Sequence, residues 1–118
     1  MVTLEALAKT ALQRDNLHLR SLALDFIREH PDLASIPRPR TDDQQILGTA
    51  AALLELLAQR TGQAAPAWTR EVGPVLEPVF LLEAATRMKR LRALCESEAP
   101  EPLRKRGLYA PPDFLMFV

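Results

Sequence analysis

Apolar residues recur every three or four positions in four stretches of this chain, a spacing typical of helices with one buried face. The pattern predicts helices at about residues 4–13, 17–29, 42–61 and 78–97. Ten prolines lie almost entirely between these stretches, and no run alternates with the period of two that a half-buried strand requires. We therefore expect an all-α fold with four to five helices and no β-sheet.

Residues near the ends of these stretches are the types that begin and end helices. Thr3 and Asp15 can accept hydrogen bonds from free amides of a first turn. Thr41 with Gln44 three residues later has the spacing of a capping box, and Gly62 suits a left-handed helix end. The sequence therefore predicts defined boundaries for the first three helices.

The third stretch has the broadest apolar face, which indicates a central helix surrounded by the others. Gly48 lies on a thin side of this helix, where we expect a neighbouring helix to approach closely. In the second stretch, Leu17 and Leu24 widen the buried face. The domain is expected to span residues 1–107, followed by an ordered, Pro-rich C-terminal arm at residues 108–118.

The charge balance argues against several classes of protein. The 118 residues include 15 Lys and Arg against 15 Asp and Glu, whereas a nucleic-acid-binding domain is usually basic.

The longest smooth apolar run, at 46–54, is far shorter than the roughly 20 residues of a membrane span. The N-terminus lacks the pattern of a signal peptide, and one cysteine fits a reducing compartment. We expect a cytoplasmic protein that does not contact membranes.

Few residues have the spacing of a catalytic or metal site. His18 and His30 are twelve residues apart without a neighbouring cysteine, and His30 is expected to lie at the end of the second helix. Cys95 falls in an apolar stripe and is expected to be a buried structural thiol, while Asp42 and Asp43 fit helix capping. We therefore expect a protein without enzymatic activity, metal or cofactor.

Basic residues are concentrated in the second half of the chain. Arg87, Lys89, Arg90 and Arg92 lie within the fourth stretch, and a second cluster follows at 104–106. One interpretation is a DNA-associated transcriptional regulator that uses the basic face of residues 87–106. The alternative, favoured by the neutral net charge, is a solvated face interleaved with acidic residues.

The C-terminal arm ends in an apolar segment that water would not favour. It either folds back over the domain or docks on another chain. In the second case its anchors would be Tyr109, Phe114, Met116 and Phe117, residue types that are enriched in protein interfaces.

Several short motifs in the second half resemble those of a known family. They are Pro-Ala-Trp-Thr at 66–69, Glu-Pro-Val-Phe at 77–80, the segment 98–106 that contains three basic residues, Tyr109, and Pro-Pro-Asp-Phe at 111–114. Over residues 44–118 the chain resembles small uncharacterised bacterial helical proteins. These are found alone or attached to helix-turn-helix regulators, often beside nucleotidyltransferase-like proteins in cassettes of toxin–antitoxin type.

This resemblance implies an antitoxin-like or regulatory accessory role with a nucleotidyltransferase-like partner, and it brings no catalytic residue. The motif residues would then form one structural unit. In it, Glu77 or Glu98 would pair with the turn at 104–106, and the arm would pack on the loop of Trp68. The members of this unit are Trp68, Glu77, Phe80, Arg104, Arg106 and Tyr109.

Together these observations predict a protein-interaction module that binds another protein. A homodimer remains open as an alternative, and nucleic acid is the disfavoured partner.

Overall fold

The computed structural model describes residues 2–116 and shows a mostly helical domain. The helices are α1 (Leu4–Leu12), α2 (Asn16–Glu29), α3 (Gln44–Thr61), α4 (Lys89–Glu98) and α5 (Glu101–Arg104). Short 3₁₀ turns lie at Leu33–Ser35, Ala67–Glu71 and Glu83–Thr86. Two strands of two residues, β1 (Val79–Phe80) and β2 (Leu108–Tyr109), pair in parallel. The predicted all-α class is confirmed.

Helix α3 lies at the centre of the fold, as its broad apolar face predicts. Every residue from 47 to 58 is buried except Glu55, which is half-buried. Helix α1 makes the most extensive packing contact with α3, while α2 packs on α1 and α5 on α3. The radius of gyration is 13.1 Å, the value expected of one domain of this size. Within residues 2–116, no helix combines the length and apolar character needed to cross a bilayer.

Three of the predicted helix ends are confirmed by capping contacts. The Thr3 side chain accepts from the Ala6 amide at 3.1 Å, and Asp15 accepts from the amide of His18 at 3.2 Å. Gly62 ends α3 with a φ of 69°, a left-handed conformation that glycine adopts without steric cost.

The predicted capping box at the start of α3 is wrong. Asp43 is the N-cap, and its Oδ1 accepts from the amides of Gln45 at 2.9 Å and Ile46 at 3.2 Å. The Thr41 hydroxyl accepts from the Asp43 amide instead, so it shapes the residue that precedes the helix. The helix therefore begins two residues later than the sequence predicts.

The continuous helix predicted at 78–97 is also wrong in its first half. The Val79 amide donates to Gly107 O and the Leu81 amide donates to Tyr109 O, both at 2.9 Å, which holds this segment extended. A short turn follows, and α4 begins only at Lys89. The resulting β1–β2 pair is the one departure, among the described residues, from the expectation of no β-sheet.

Two packing expectations are corrected. Leu17 does not widen the buried face of α2 but is 83% exposed, because two residues of helix place it about 200° from the buried Leu19. Gly48 is approached by a loop and not by a helix. A Cβ at Gly48 would lie 2.9 Å from Val75 Cγ1, so its missing side chain makes room for the segment before β1.

Candidate functional site

A partly buried ionic cluster consists of Glu55, Lys105 and Arg106. Arg106 is only 2% exposed, and its Nη1 lies 2.6 Å from Glu55 Oε1. Lys105 Nζ approaches the same oxygen at 3.0 Å from the solvent side. A single carboxylate of α3 thus receives two cations from the segment that follows α5.

Arg106 also donates to main-chain carbonyls of two other segments. Its guanidinium donates to Thr69 O at 2.7 Å, to Pro102 O at 3.0 Å and to Val72 O at 3.3 Å. These acceptors lie in the 67–72 segment and in α5, while Glu55 lies in α3. The planar guanidinium suits hydrogen bonds to several separate acceptors because its donors point in fixed directions. The cluster therefore holds three segments together.

The Glu55 carboxyl is ionised more readily than an ordinary carboxyl. Burial by itself would raise its pKa, but the hydrogen bonds from Arg106 and Lys105 and the charge of Arg106 outweigh burial and lower the pKa below 4.5. The charged form is thus the stable form in the folded state.

We predict that this ionisation makes folding sensitive to acid. Since the folded-state pKa lies below the unfolded value, the stabilisation is fully present above the unfolded value and is lost as the pH falls through the folded-state pKa. Urea unfolding measured from about pH 7 to about pH 3 should show a midpoint urea concentration that falls as the pH drops below about 4.5. Glu55→Gln should unfold at a lower urea concentration at neutral pH, and its midpoint should depend less on pH in the acidic range. An equally steep fall of the midpoint with acid in both proteins would contradict this assignment.

The 104–106 turn pairs with a carboxylate, as predicted, but the carboxylate is that of Glu55 and not that of Glu77 or Glu98. Glu77 and Glu98 are both exposed and form no ion pair with the turn within the described part of the chain. Arg104 is also exposed and donates to Ser97 O at 3.0 Å. One signal pointed to Glu55: it is the only charged residue between Asp43 and Arg60.

The structure brings only part of the predicted motif unit together. Phe80 and Tyr109 stack with ring centroids 5.4 Å apart across the β1–β2 pair. The Trp68 indole donates to Ile36 O at 2.8 Å and packs between core clusters, as a gap-filling aromatic would. Arg106 binds one carbonyl within the turn that contains Trp68, Thr69 O, and one directly after it, Val72 O. The arm itself begins beside residues 79–81.

The described part of the C-terminal arm folds back on the domain. Leu108, Ala110, Phe114 and Leu115 belong to the main core. Arg60 of α3 donates to Pro112 O and to Phe114 O, each at 3.0 Å. Phe114 is therefore a core anchor in this chain, and Tyr109 is half-buried against Phe80. The predicted anchor Phe117 lies outside the described residues.

Met116 is an exposed large apolar side chain of the described arm, at 42% exposure, and its carbonyl is bound by α2. Arg20 of α2 donates to Met116 O at 2.9 Å, which fixes the end of the described arm against this helix. Leu17 precedes Arg20 by three residues and so neighbours it on the helix surface. We call Leu17, Arg20 and Met116 the α2–arm surface. It presents two large apolar side chains around a guanidinium.

The basic residues predicted as an alternative nucleic-acid site differ in whether they form ion pairs. Arg87, Lys89 and Arg90 are exposed without an ion pair in the described region. Arg92 is paired with Glu96 at 3.2 Å, and its guanidinium lies 4.8 Å from the centroid of the Phe80 ring. In the second cluster, Arg106 is buried and Lys105 pairs with Glu55. The span 87–106 therefore offers three unpaired cations near the start of α4.

Helix α4 begins without the capping and acidic side chains that usually stabilise the start of a helix. Met88 occupies the N-cap position, where its side chain cannot accept a hydrogen bond, and the first turn contains no acidic residue. We predict that Met88→Asp raises the free energy of unfolding by about 0.5–2 kcal/mol, because Asp caps the free amides and complements the helix dipole. Urea unfolding measures the change, with Met88→Ala as the control for the lost side chain. Equal stability of the two variants would contradict the prediction.

The residues considered for catalysis occupy structural positions. His18 lies 3.7 Å from Asp15 at the start of α2, and the His30 ring stacks on Phe26 at 4.6 Å at the end of this helix. Cys95 is buried, and burial raises the pKa of its thiol, with a smaller effect from Glu96. Among residues 2–116, no group of three or more His, Cys, Asp and Glu side chains has the arrangement of a metal site.

Comparisons of the chain with models of protein families, with curated proteins and with solved structures gave no match.

Proposed function

We propose that this chain is a non-enzymatic interaction module that binds a partner protein through its α2–arm surface. The observation that carries the proposal is the exposure of Leu17 and Met116, 83% and 42%, together with the position of Arg20, which lies three residues after Leu17 on α2 and donates to Met116 O. Burial of large apolar side chains at an interface supplies most of the driving force for association. Methionine and arginine are also enriched in such interfaces.

The way the arm is held supports this assignment. Phe114 and Leu115 anchor it in the core, Arg60 binds two of its carbonyls, and Arg20 binds a third. The exposed Met116 side chain is thereby presented on an ordered segment. A partner that binds an ordered segment loses less conformational entropy than one that must first order it.

The resemblance described above supplies a candidate class of partner, a nucleotidyltransferase-like protein encoded beside this chain. Under this proposal the chain acts as an antitoxin-like or regulatory accessory protein. Its effect would come from covering a surface of the partner, with no chemical step of its own.

The proposal is tested by substitution of exposed residues and not by removal of the arm. Deleting residues 108–116 would remove part of the core and would confuse unfolding with lost binding. The double variant L17D/M116D changes only the α2–arm surface. Tagged wild-type protein and the tagged variant are each co-expressed with the proteins encoded by neighbouring genes. The wild type should recover a partner, and L17D/M116D should not.

A matched control carries the same change in charge at exposed positions elsewhere. Leu94 and Ala64 are exposed outside the α2–arm surface, and L94D/A64D should recover the partner as the wild type does. Recovery of the partner by L17D/M116D at the wild-type level would overturn the proposed surface.

A further inference from the structure

Two exposed surfaces outside the α2–arm surface have opposite charge, and each contains a large apolar side chain. The first is an open groove of about 450 Å³ at the start of α3. It is lined by the carboxylates of Asp42, Asp43 and Glu77 and by Leu76, which is 91% exposed. Leu76 has the greatest exposure of the large apolar side chains in the described region. We call these four residues the acidic groove.

No cation within the described residues neutralises the acidic groove by an ion pair. Asp43 uses Oδ1 to cap α3, while Asp42 and Glu77 are exposed. Arg38 and Arg40 line a neighbouring groove together with Asp42 but form no ion pair with it. The carboxylates therefore remain available to cations of another molecule.

The second surface consists of Arg87, Met88, Lys89 and Arg90, which we call the basic α4 surface. Met88 is 57% exposed, and the three exposed cations are its neighbours in sequence. These cations lie at the positive end of the helix dipole, and Glu96 and Glu98 lie at its negative end. This distribution is the reverse of the one that stabilises a helix. Only Cys95 of the ten residues in α4 is buried, so packing within the domain gives little compensation.

We propose that the basic α4 surface of one copy docks in the acidic groove of a second copy. The contact brings three cations against three carboxylates and covers Met88 with Leu76. The carboxylates of the second copy supply the negative charge that the start of α4 lacks. This inference goes beyond the proposed function because it involves neither Leu17 nor Met116.

The overall charge of the chain favours a second copy over nucleic acid as the occupant. Lys and Arg balance Asp and Glu, 15 against 15, so two copies approach without long-range repulsion. Nucleic acid binding would gain only the three local cations. Since the two surfaces differ, the contact is head-to-tail: it can close into a ring or continue to further copies.

Sedimentation velocity over a range of protein concentrations tests the proposal. At about 0.01 M salt, where the screening length is about 30 Å, the sedimentation coefficient should rise with concentration above that of a 13.2 kDa monomer. At about 1 M salt, where the screening length is about 3 Å, the monomer should remain at all concentrations. A monomer in both conditions would overturn the proposal.

Charge reversal identifies the two surfaces. D42K/E77K makes the groove basic and R87E/R90E makes the α4 surface acidic, so each variant alone should be monomeric at low salt. A mixture of the two variants should associate again, because the unchanged α4 surface of D42K/E77K fits the unchanged groove of R87E/R90E and the two reversed surfaces also complement each other. Both variants keep Asp43, the cap of α3, and R87E/R90E improves the charge at the start of α4.

The control D25K/E71K makes the same change in net charge at exposed or partly exposed positions outside both surfaces and should associate as the wild type does. L17D/M116D should also associate normally, which separates this proposal from the proposed function. A mixture that stays monomeric would overturn the contact. So would a monomeric wild type that binds duplex DNA with steep salt dependence through Arg87 and Arg90, since that result would assign the surface to nucleic acid.

Discussion

Replacing Arg106 by leucine is expected to lower the free energy of unfolding by about 3–5 kcal/mol, the usual cost of breaking a buried ion pair from one side. The change leaves Glu55 with Lys105 as its only cation, and it leaves the carbonyls of Thr69, Val72 and Pro102 without the Arg106 donors. Urea unfolding at neutral pH measures the loss. Arg106→Lys should restore little of the lost free energy of unfolding, because an ammonium group cannot reproduce the hydrogen bonds of a guanidinium to several separate acceptors.

Arg104→Leu is the matched control, two residues away. Arg104 is exposed and makes one hydrogen bond to Ser97 O, so its replacement should cost less than about 1 kcal/mol. Similar losses for the two leucine variants would show that the Arg106 cluster does not hold α3, α5 and the 67–72 segment together.

Phe114→Ala is expected to cost about 3–5 kcal/mol, the range for removal of a buried phenylalanine side chain. Phe114 is 7% exposed and belongs to the main core, and its carbonyl is held by Arg60. The variant should also expose the arm to limited proteolysis at lower urea concentrations than the wild type. Thermal or urea unfolding, with the protease assay as a second readout, measures both effects.

Met116→Ala is the control for this experiment. Because Met116 is largely outside the core, its replacement should change the free energy of unfolding by less than about 0.5 kcal/mol. A small effect for Phe114→Ala would mean that the arm does not contribute to the fold, and residues 108–116 would then be better described as a detachable segment.

The sequence was sufficient to predict the first three helices because their ends are set by local chemistry. Thr3 and Asp15 cap helices through amides three residues away, and Gly62 supplies the left-handed end. The helix predicted over residues 78–88 does not form, and the reason is a set of tertiary contacts. Phe80 and Leu81 have helical spacing, but hydrogen bonds to the arm hold them extended. No pattern within 78–97 contains that information.

The Glu55–Arg106 pair was missed for a related reason. The two residues are 51 positions apart, and local pattern does not show which distant carboxylate a basic turn will meet. The resemblance directed attention to Arg106 but suggested nearby acids in its own half. The informative feature was a lone charge within the apolar face of α3, which a search for unpaired charges in buried helices would have found.

The surfaces were the least predictable part of the molecule. Leu17 was expected to widen the buried face of α2 and Leu76 directly follows the buried Val75, yet both leucines are exposed. Phe114 was predicted as a partner anchor and belongs to the core, while Met116 of the same arm is exposed. Residue type alone does not separate these roles, because the separation depends on how the arm crosses α2 and α3.

The most direct test of the account is the affinity of the purified partner for three proteins: the wild type, L17D/M116D and the control L94D/A64D. Titration calorimetry should show a loss of about tenfold or more for L17D/M116D, equivalent to about 1.4 kcal/mol, with an unchanged unfolding midpoint. The control should bind as the wild type does. Equal affinity for all three proteins would contradict the claim that the α2–arm surface is where this chain meets its partner.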